Sequence, residues 1–291
     1  MPTIVIQIPC HNEEQTLGAT LAELPRRLPG VECILWLVVD DGSTDATAEV
    51  ASRAGVDRIV RLAARSGAAR AFEAGIAASL EMGADIVVQT DGDNQYRAEG
   101  IAALIRPILA GEASFVIGIR PIDRIRGFSP LKKFLLRLGS KVVSLAAGVD
   151  VADAVSGFRA MDRATAERLR VHGHYTYTAE TIIQAGRQGI AVASVPIERN
   201  EDLRPSRLVR NIPTYVARQA WIILRTMLRY TPYRIPLLAA AGSFVAGAVL
   251  EAFGWPETGL PAGFFGLGAI LAGLTVLLDL RSARRAARRA V

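Results

Sequence analysis

The chain has 291 residues and a net charge of +6, from 34 Lys and Arg against 28 Asp and Glu. Hydrophobic residues make up 51% and mean hydropathy is +0.27. Such a length holds one large domain, or one domain with an appendage. Two cysteines are too few for a disulfide-stapled scaffold. The opening MPTIVIQIPC lacks the basic start and the length of a signal peptide.

The first part of the chain alternates in hydrophobic period. TIVIQIP (3–9) predicts a strand and NEEQTLGATLAEL (12–24) a helix. CILWLVVD (33–40) predicts a buried strand, and STDATAEVASRA (43–54) a helix capped by Ser43 or Thr44. VDRIVRL (56–62) is a short strand, followed by a helix with small residues on one face over SGAARAFEAGIAASLEMG (66–83). A strand ADIVVQT (84–90), a helix AEGIAALIRPILAG (98–111) and a strand ASFVIGI (113–119) complete the series. Val- and Ile-rich runs between helices imply an α/β fold with a mostly parallel sheet covered on both faces. Cys10 and Cys33 fall in such runs and read as reduced core residues.

Beyond Arg120 the alternation breaks down. PLKKFLLRLGSKVVSLAAG (130–148) predicts a basic amphipathic helix and AVSGFRAM (154–161) a short strand or turn. YTAETIIQAGRQG (177–189) predicts a helix and IAVASVPI (190–197) a strand. A basic loop, ERNEDLRPSRL (198–208), precedes Pro213, which suits a helix start. Arg218, Arg225 and Arg229 then share one stripe beside Trp221, Ile222, Leu224 and Leu228, the pattern of a helix lying in a membrane surface. Residues 235–250 and 258–278 carry no charge and approach the length of a membrane span. They predict a two-helix transmembrane hairpin; a buried core pair is the alternative.

Arg281, Arg284, Arg285, Arg288 and Arg289 close the chain with no acid after Asp279. Beside a span such a cluster stays cytoplasmic. Two spans return the chain to its starting side. The expectation is a multi-pass protein of the cytoplasmic membrane, with its catalytic domain and both termini cytoplasmic. The basic tail has no interleaved aromatics, so no nucleic-acid partner is expected. The expected organisation is a catalytic domain (1–205), an amphipathic interface helix (206–232), the hairpin (233–280) and a basic tail (281–291).

Three acidic clusters follow predicted strands: HNEE after the first, DDGSTD after the second and DGDNQY after 84–90. In parallel sheets ligands bind beyond the carboxyl ends of the strands, so the clusters face one crevice. No GxGxxG or GxxxxGK[ST] is present, which disfavours dinucleotide and P-loop chemistry. An Asp-x-Asp alone is often a surface turn. Asp91 and Asp93, at the end of an apolar strand, instead suit Mg²⁺ or Mn²⁺ bridging a diphosphate, with Gln95 as a neutral oxygen ligand.

The ordered set IPCHNEE, VVDDGSTD, GAARAFEAG, TDGDNQY and SGFRAM resembles inverting family 2 glycosyltransferases of GT-A (Rossmann-like) fold. It is most similar to polyprenyl-phosphate (dolichol-phosphate-type) mannose and glucose synthases, over residues 3–230. The resemblance implies a hexose moved from a nucleotide-sugar of the GDP-mannose or UDP-glucose type to a polyprenyl phosphate, with inversion, for cell-envelope glycans. It implies Pro9, His11, Glu13, Asp41 and Asp91 at the nucleotide, and Asp91, Asp93 and Gln95 at the metal. His11 stands where Tyr is commoner. Asp93, Arg120 and Arg204 are the implied catalytic residues. Arg120, Ser206 and Arg207 are implied at the acceptor phosphate, with Lys133, Arg137 and Ser140 from the basic helix, where Lys132 is an equal candidate. Some members form tetramers through their membrane segments, which allows a homo-oligomer. Glu180 reads equally as a site acid or an exposed helix residue, and Arg159 as a substrate-positioning residue or an ion-pair partner. The competing functions are transfer to another lipid-linked or glycan acceptor, and a non-catalytic sugar-nucleotide-binding membrane adaptor.

Overall fold

The computed structural model describes residues 1–125, 128–173, 176–200, 212–230, 234–252 and 260–289. The chain forms two compact units, Met1–Ile223 and Leu224–Val291.

The first unit is built on strands β1 (Thr3–Cys10), β2 (Cys33–Asp40), β3 (Arg58–Arg61), β4 (Ile86–Gln89), β5 (Phe115–Ile119), β6 (Arg159–Asp162) and β7 (Val192–Pro196). Helices α1 (Leu17–Glu23), α2 (Thr47–Arg53), α3 (Ala68–Glu81), α4 (Gly100–Leu109), α5 (Pro130–Ala147), α6 (Arg163–Arg168) and α7 (Thr178–Arg187) connect them. The seven strands lie in the order β3-β2-β1-β4-β6-β5-β7. All neighbours are parallel except β6, which runs antiparallel to both β4 and β5. The end of AVSGFRAM, from Arg159, is therefore a central strand whose N-terminal end meets the carboxyl ends of its neighbours, while 154–158 lie outside it.

Ile4, Ile6, Ile8, Val38, Val88, Val116 and Ala160 from the strands meet Leu17, Leu21, Ile101 and Leu104 from helices in one core. Across the sheet, Gln7 and Gln89 pair in register, both fully buried, with Gln7 Nε2 donating to Gln89 Oε1 at 2.5 Å. A Cβ at Gly75 of α3 would run into the Gln7 amide, so the glycine lets this helix cover a polar pair.

Several local expectations change. Ser43 and Thr44 do not cap α2, which begins at Thr47; Asp45 Oδ1 instead accepts from Thr47 N at 3.1 Å and its Oδ2 from Glu14 N at 3.2 Å. The helix expected from residue 12 begins at Leu17, because 11–16 form the site loop. Cys10 is buried, but Cys33 at the open start of β2 is exposed.

Helix α8 (Ile212–Tyr230) follows, then α9 (Arg234–Ala252) and α10 (Leu260–Arg289). In the second unit α9 and α10 pack together, with the Phe244 and Phe265 rings 6.2 Å apart and Gly247 and Gly268 each against the other helix's ring. Among the described residues, no helix is long and apolar enough to cross a membrane. The transmembrane hairpin expected over 233–280 is thus not found there; those segments form a packed helix pair.

Candidate active site

The sheet order collects the chemistry at one edge. β1 delivers His11 and Glu13, β2 Asp40 and Asp41, β4 Asp91 and Asp93, and β5 Arg120. Antiparallel β6 starts at this edge, bringing Gly157 and Arg159 to the same place. Among the described residues the non-glycines with left-handed backbone are Asn12 (φ 55°) and Asn94 (φ 56°), both in this rim. Asparagine tolerates that conformation, and such residues cluster at functional sites.

On the β1–β3 side, Asn12 Oδ1 accepts from Thr44 N at 2.8 Å and Asn12 N donates to Ser43 Oγ at 2.9 Å. His11 Nδ1 lies 2.8 Å from Asp41 O. A carbonyl only accepts, so Nδ1 carries the proton. His11, Asn12, Ser43 and Thr44, with Asp40, Gly42, Arg61 and Arg65, line a cleft of about 710 Å³. Pro9 ends β1 opposite Val39. Asp41, expected at the nucleotide, has its carboxylate engaged otherwise. It accepts from Ser66 N at 2.6 Å and Gly67 N at 2.9 Å, just before α3. An anion there satisfies amides that the helix leaves open. The sequence reading missed Asn12, Arg61 and Arg65 as cleft-lining groups; Asn12 beside His11 in HNEE was the available signal.

At the centre, burial and the neighbouring Asp93 push the Asp91 carboxyl up to about 7, against an opposing pull from Arg120 and Arg159. A Cβ on Gly157 would stand 2.9 Å from both Asp91 oxygens, so the glycine of SGFR admits the carboxylate. Glu13 Oε2 accepts from Thr16 Oγ1 at 2.9 Å, and the Thr16 hydroxyl also lies 2.9 Å from Gly92 O. The Thr16 hydroxyl, between these two acceptors, thus ties the loop of Glu13 to the 91–93 turn. Burial, then the charges of Glu13, Asp40, Asp91 and Asp93, raise the Cys10 thiol well above its ordinary value. Gln95 Nε2 donates to Asp93 Oδ2 at 2.9 Å. Tyr96, unremarked in the sequence, stacks on Phe158 at 4.9 Å and accepts from Gly157 N at 3.0 Å. Burial and Asp91 push its phenol up to about 12, so it stays neutral.

The β5 side is cationic. Arg120 Nε donates to Asp153 Oδ2 at 2.7 Å and Nη2 to Oδ1 at 3.0 Å, and Asp153 is fully buried. Burial opposes the charge, but ionised neighbours, Asp153 foremost at neutral pH, more than offset it and raise the Arg120 pKa. Asp153 was not singled out in the sequence; an acid amid Val151, Ala154 and Val155 was the signal. Arg159 is also fully buried. Among the described residues it forms no ion pair: Nη1 donates to Thr181 Oγ1 at 2.9 Å, and Nη2 to Ser156 O. Burial lowers its pKa. Glu180 is buried, not exposed, and Oε1 accepts from His172 N at 3.1 Å.

Ser140, expected at the acceptor phosphate, is buried and its Oγ accepts from Ala154 N at 3.0 Å; it anchors the loop that carries Asp153. Lys133 Nζ donates to Asp123 O at 2.8 Å, and Arg137 pairs with the Asp123 carboxylate. Arg204, Ser206 and Arg207 lie outside the described residues.

Among the described residues, no three His, Cys, Asp or Glu side chains form a ready metal cluster. The donors still fit a divalent cation. Asp91 and Asp93 are hard oxygen ligands, and their mutual repulsion in a buried site is what such a cation relieves.

The sequence profile of glycosyl transferase family 2 matches residues 5–170. The chain belongs to this family. It is a glycosyltransferase related to the polyprenyl-phosphate sugar synthases. An uncharacterised protein of Methanocaldococcus jannaschii is 30% identical over 67% of this chain and 80% of that one. The undecaprenyl-phosphate mannosyltransferase of Micrococcus luteus is 28% identical over 65% of this chain and 80% of its own. The polyprenol monophosphomannose synthase of Mycolicibacterium smegmatis is 28% identical, covering 68% and 77%. Glucosyl-3-phosphoglycerate synthase of Mycobacterium tuberculosis, crystallised with Mn²⁺, UDP-glucose and phosphoglyceric acid, superposes with a TM-score of 0.63 at 23% identity, covering 77% and 79%. That likeness shows the GT-A-like fold of this glycosyltransferase.

Proposed function

We propose that this glycosyltransferase moves one hexose from a nucleotide-sugar to a polyprenyl phosphate at a membrane surface, inverting the anomeric carbon. The observation that carries the reading is the crevice itself: a carboxylate pair on one side faces a buried, carboxylate-clamped arginine on the other. The names of the Micrococcus and Mycolicibacterium relatives support a polyprenyl phosphate acceptor.

The nucleotide occupies the cleft beside His11, Asn12 and Arg61, and its diphosphate reaches Asp91 and Asp93. Asp91 and Asp93 would hold a Mg²⁺ or Mn²⁺ ion, which would supply charge neutralisation for the departing diphosphate. Asp153 occupies Nε and Nη2 of Arg120, which presents Nη1 to an acceptor phosphate. A phosphate oxygen is already anionic near neutral pH, so the site must position it and needs no strong base. It attacks the anomeric carbon as the bond to the diphosphate breaks. Arg204, Ser206 and Arg207 complete the acceptor contacts. The Leu224–Val291 unit and its arginine-rich end attach the protein to the cytoplasmic face of the membrane.

The test is transfer of labelled hexose in detergent. UDP-glucose and GDP-mannose are offered separately, with and without Mn²⁺ and Mg²⁺, to a short-chain polyprenyl phosphate or to 3-phosphoglycerate. A metal-dependent, acid-labile glycolipid is expected. Label on phosphoglycerate alone assigns a small soluble acceptor, the chemistry named for the Mycobacterium neighbour. Recovery in the soluble fraction of a cell lysate without detergent would sink the membrane assignment.

A further inference from the structure

The turn carrying Asp91, Asp93 and Gln95 lies beyond the end of β4 at Gln89, so ladder hydrogen bonds do not hold it. Two carboxylates crowd there, and repulsion between like charges favours a wider turn. Three contacts oppose that. Gly92 O lies 2.9 Å from Thr16 Oγ1, Gln95 O accepts from Asn200 N at 3.0 Å, and Asn94 Nδ2 donates to Glu23 Oε1 at 2.9 Å. Glu23 Oε2 also accepts from Asn200 Nδ2 at 3.0 Å. One carboxylate thus joins the turn to residue 200, beside the bridge between Tyr96 and Arg199.

Helix α1 itself does not account for an acid at this place. Glu23 is its last residue, where the helix dipole disfavours negative charge. It is exposed, and among the described residues its side-chain partners are amides, not a cation. The nearby Arg26 is committed to Asp57 and to the Trp36 ring. The Asn94 end is equally directed. Asn94 is 7% exposed, with left-handed backbone at φ 56°. A carboxylate only accepts, so Nδ2 faces Glu23 and Oδ1 faces away. Among the described residues Oδ1 is buried without a hydrogen-bond partner, which leaves Glu23 as the polar tether of this side chain. The tethered residue stands between Asp93 and Gln95.

We infer that Glu23 is a positioning residue for the divalent cation: through Asn94 it holds the turn of Asp93 and Gln95 against the repulsion of the two aspartates, so that a cation binds without first gathering its ligands. The inference rests on the reading of Asp91 and Asp93 as metal ligands. Glu23 acts through Asn94, not by touching the cation or the donor.

The test titrates Mn²⁺ into the full chain in detergent, with UDP and GDP offered in turn, and reads free Mn²⁺ by electron paramagnetic resonance. Glu23→Ala should weaken Mn²⁺ binding about tenfold, the loss typical of removing a group that orients a metal ligand. Glu23→Gln keeps an accepting oxygen without the charge and should stay close to wild type. Asn94→Gly adopts the left-handed backbone freely, so it should match Glu23→Ala, and the double variant should lose no more than either single one. Should Glu23→Ala not fold, Asn94→Gly carries the same comparison. In transfer assays the Mn²⁺ concentration giving half-maximal rate should rise in step, while kcat at saturating Mn²⁺ changes little. Wild-type binding with unchanged affinity in Glu23→Ala and Asn94→Gly overturns the inference alone. So does Glu23→Gln binding as weakly as Glu23→Ala, since the charge and not the hydrogen bonds would then be what the cation needs. A wild type that takes up no Mn²⁺ with either nucleotide overturns the metal reading, and the inference with it.

Discussion

The two sides of the crevice handle buried charge in opposite ways. On the β4 side Asp91 and Asp93 crowd together, and the Asp91 carboxyl is held up to about 7 by burial and its neighbour. On the β5 side the Arg120 guanidinium is clamped through two donors by Asp153. One side crowds like charges together; the other pairs its charge inside the protein. In the proposed reading a metal-bound donor would meet an acceptor site whose positive charge is already oriented, the arrangement that electrostatic preorganisation requires.

The largest test of this contrast is Asp153→Ala. Breaking a buried pair leaves an uncompensated charge and should cost about 3–5 kcal/mol of stability. Urea denaturation measures it, and a loss below ~1 kcal/mol would mean that water or another acid takes over Arg120. Next, Asp93→Asn should lower kcat roughly 100-fold, comparable to loss of one preorganised charge partner. Chelating the metal from the wild type should do the same. Near-normal turnover in the variant would remove Asp93 from the site.

Asp91 supplies the pH test. Its folded pKa lies above the unfolded value of about 3.9, so between the two the native state holds a proton that the unfolded state has lost. Metal-free protein should therefore lose on the order of 1 kcal/mol per unit as pH rises from 5 to 7. Asp91→Asn should flatten that slope and stabilise the metal-free fold at pH 7, while impairing transfer. Denaturant midpoints across the pH range decide it; a wild-type slope retained in the variant assigns the effect elsewhere. The smallest effect is Tyr96→Phe. It leaves the Phe158 stacking but strands the Gly157 N–H, at a cost of about 1 kcal/mol. No change in midpoint would mean that water replaces the phenol.

The amino-acid sequence alone determined the alternation of strands and helices, the parallel majority of the sheet and the acids at its carboxyl edge. Those follow from short-range rules: an apolar run between amphipathic segments has few places to go, and the residues that end it are carried to the rim. Asp91 and Asp93 were legible for that reason. Only the tertiary structure decided what the charged groups do there. Arg120 and Asp153 are 33 residues apart and meet because β6 enters antiparallel between β4 and β5. The same insertion buries Arg159 and puts Gly157 against Asp91. Asp41 and Ser140 have hydrogen-bonding groups that suit a ligand equally well, but open backbone amides at residues 66, 67 and 154 claim them first. Local hydrophobic pattern determines the elements; which partner each polar group finds depends on the long-range approach of segments that the pattern does not encode.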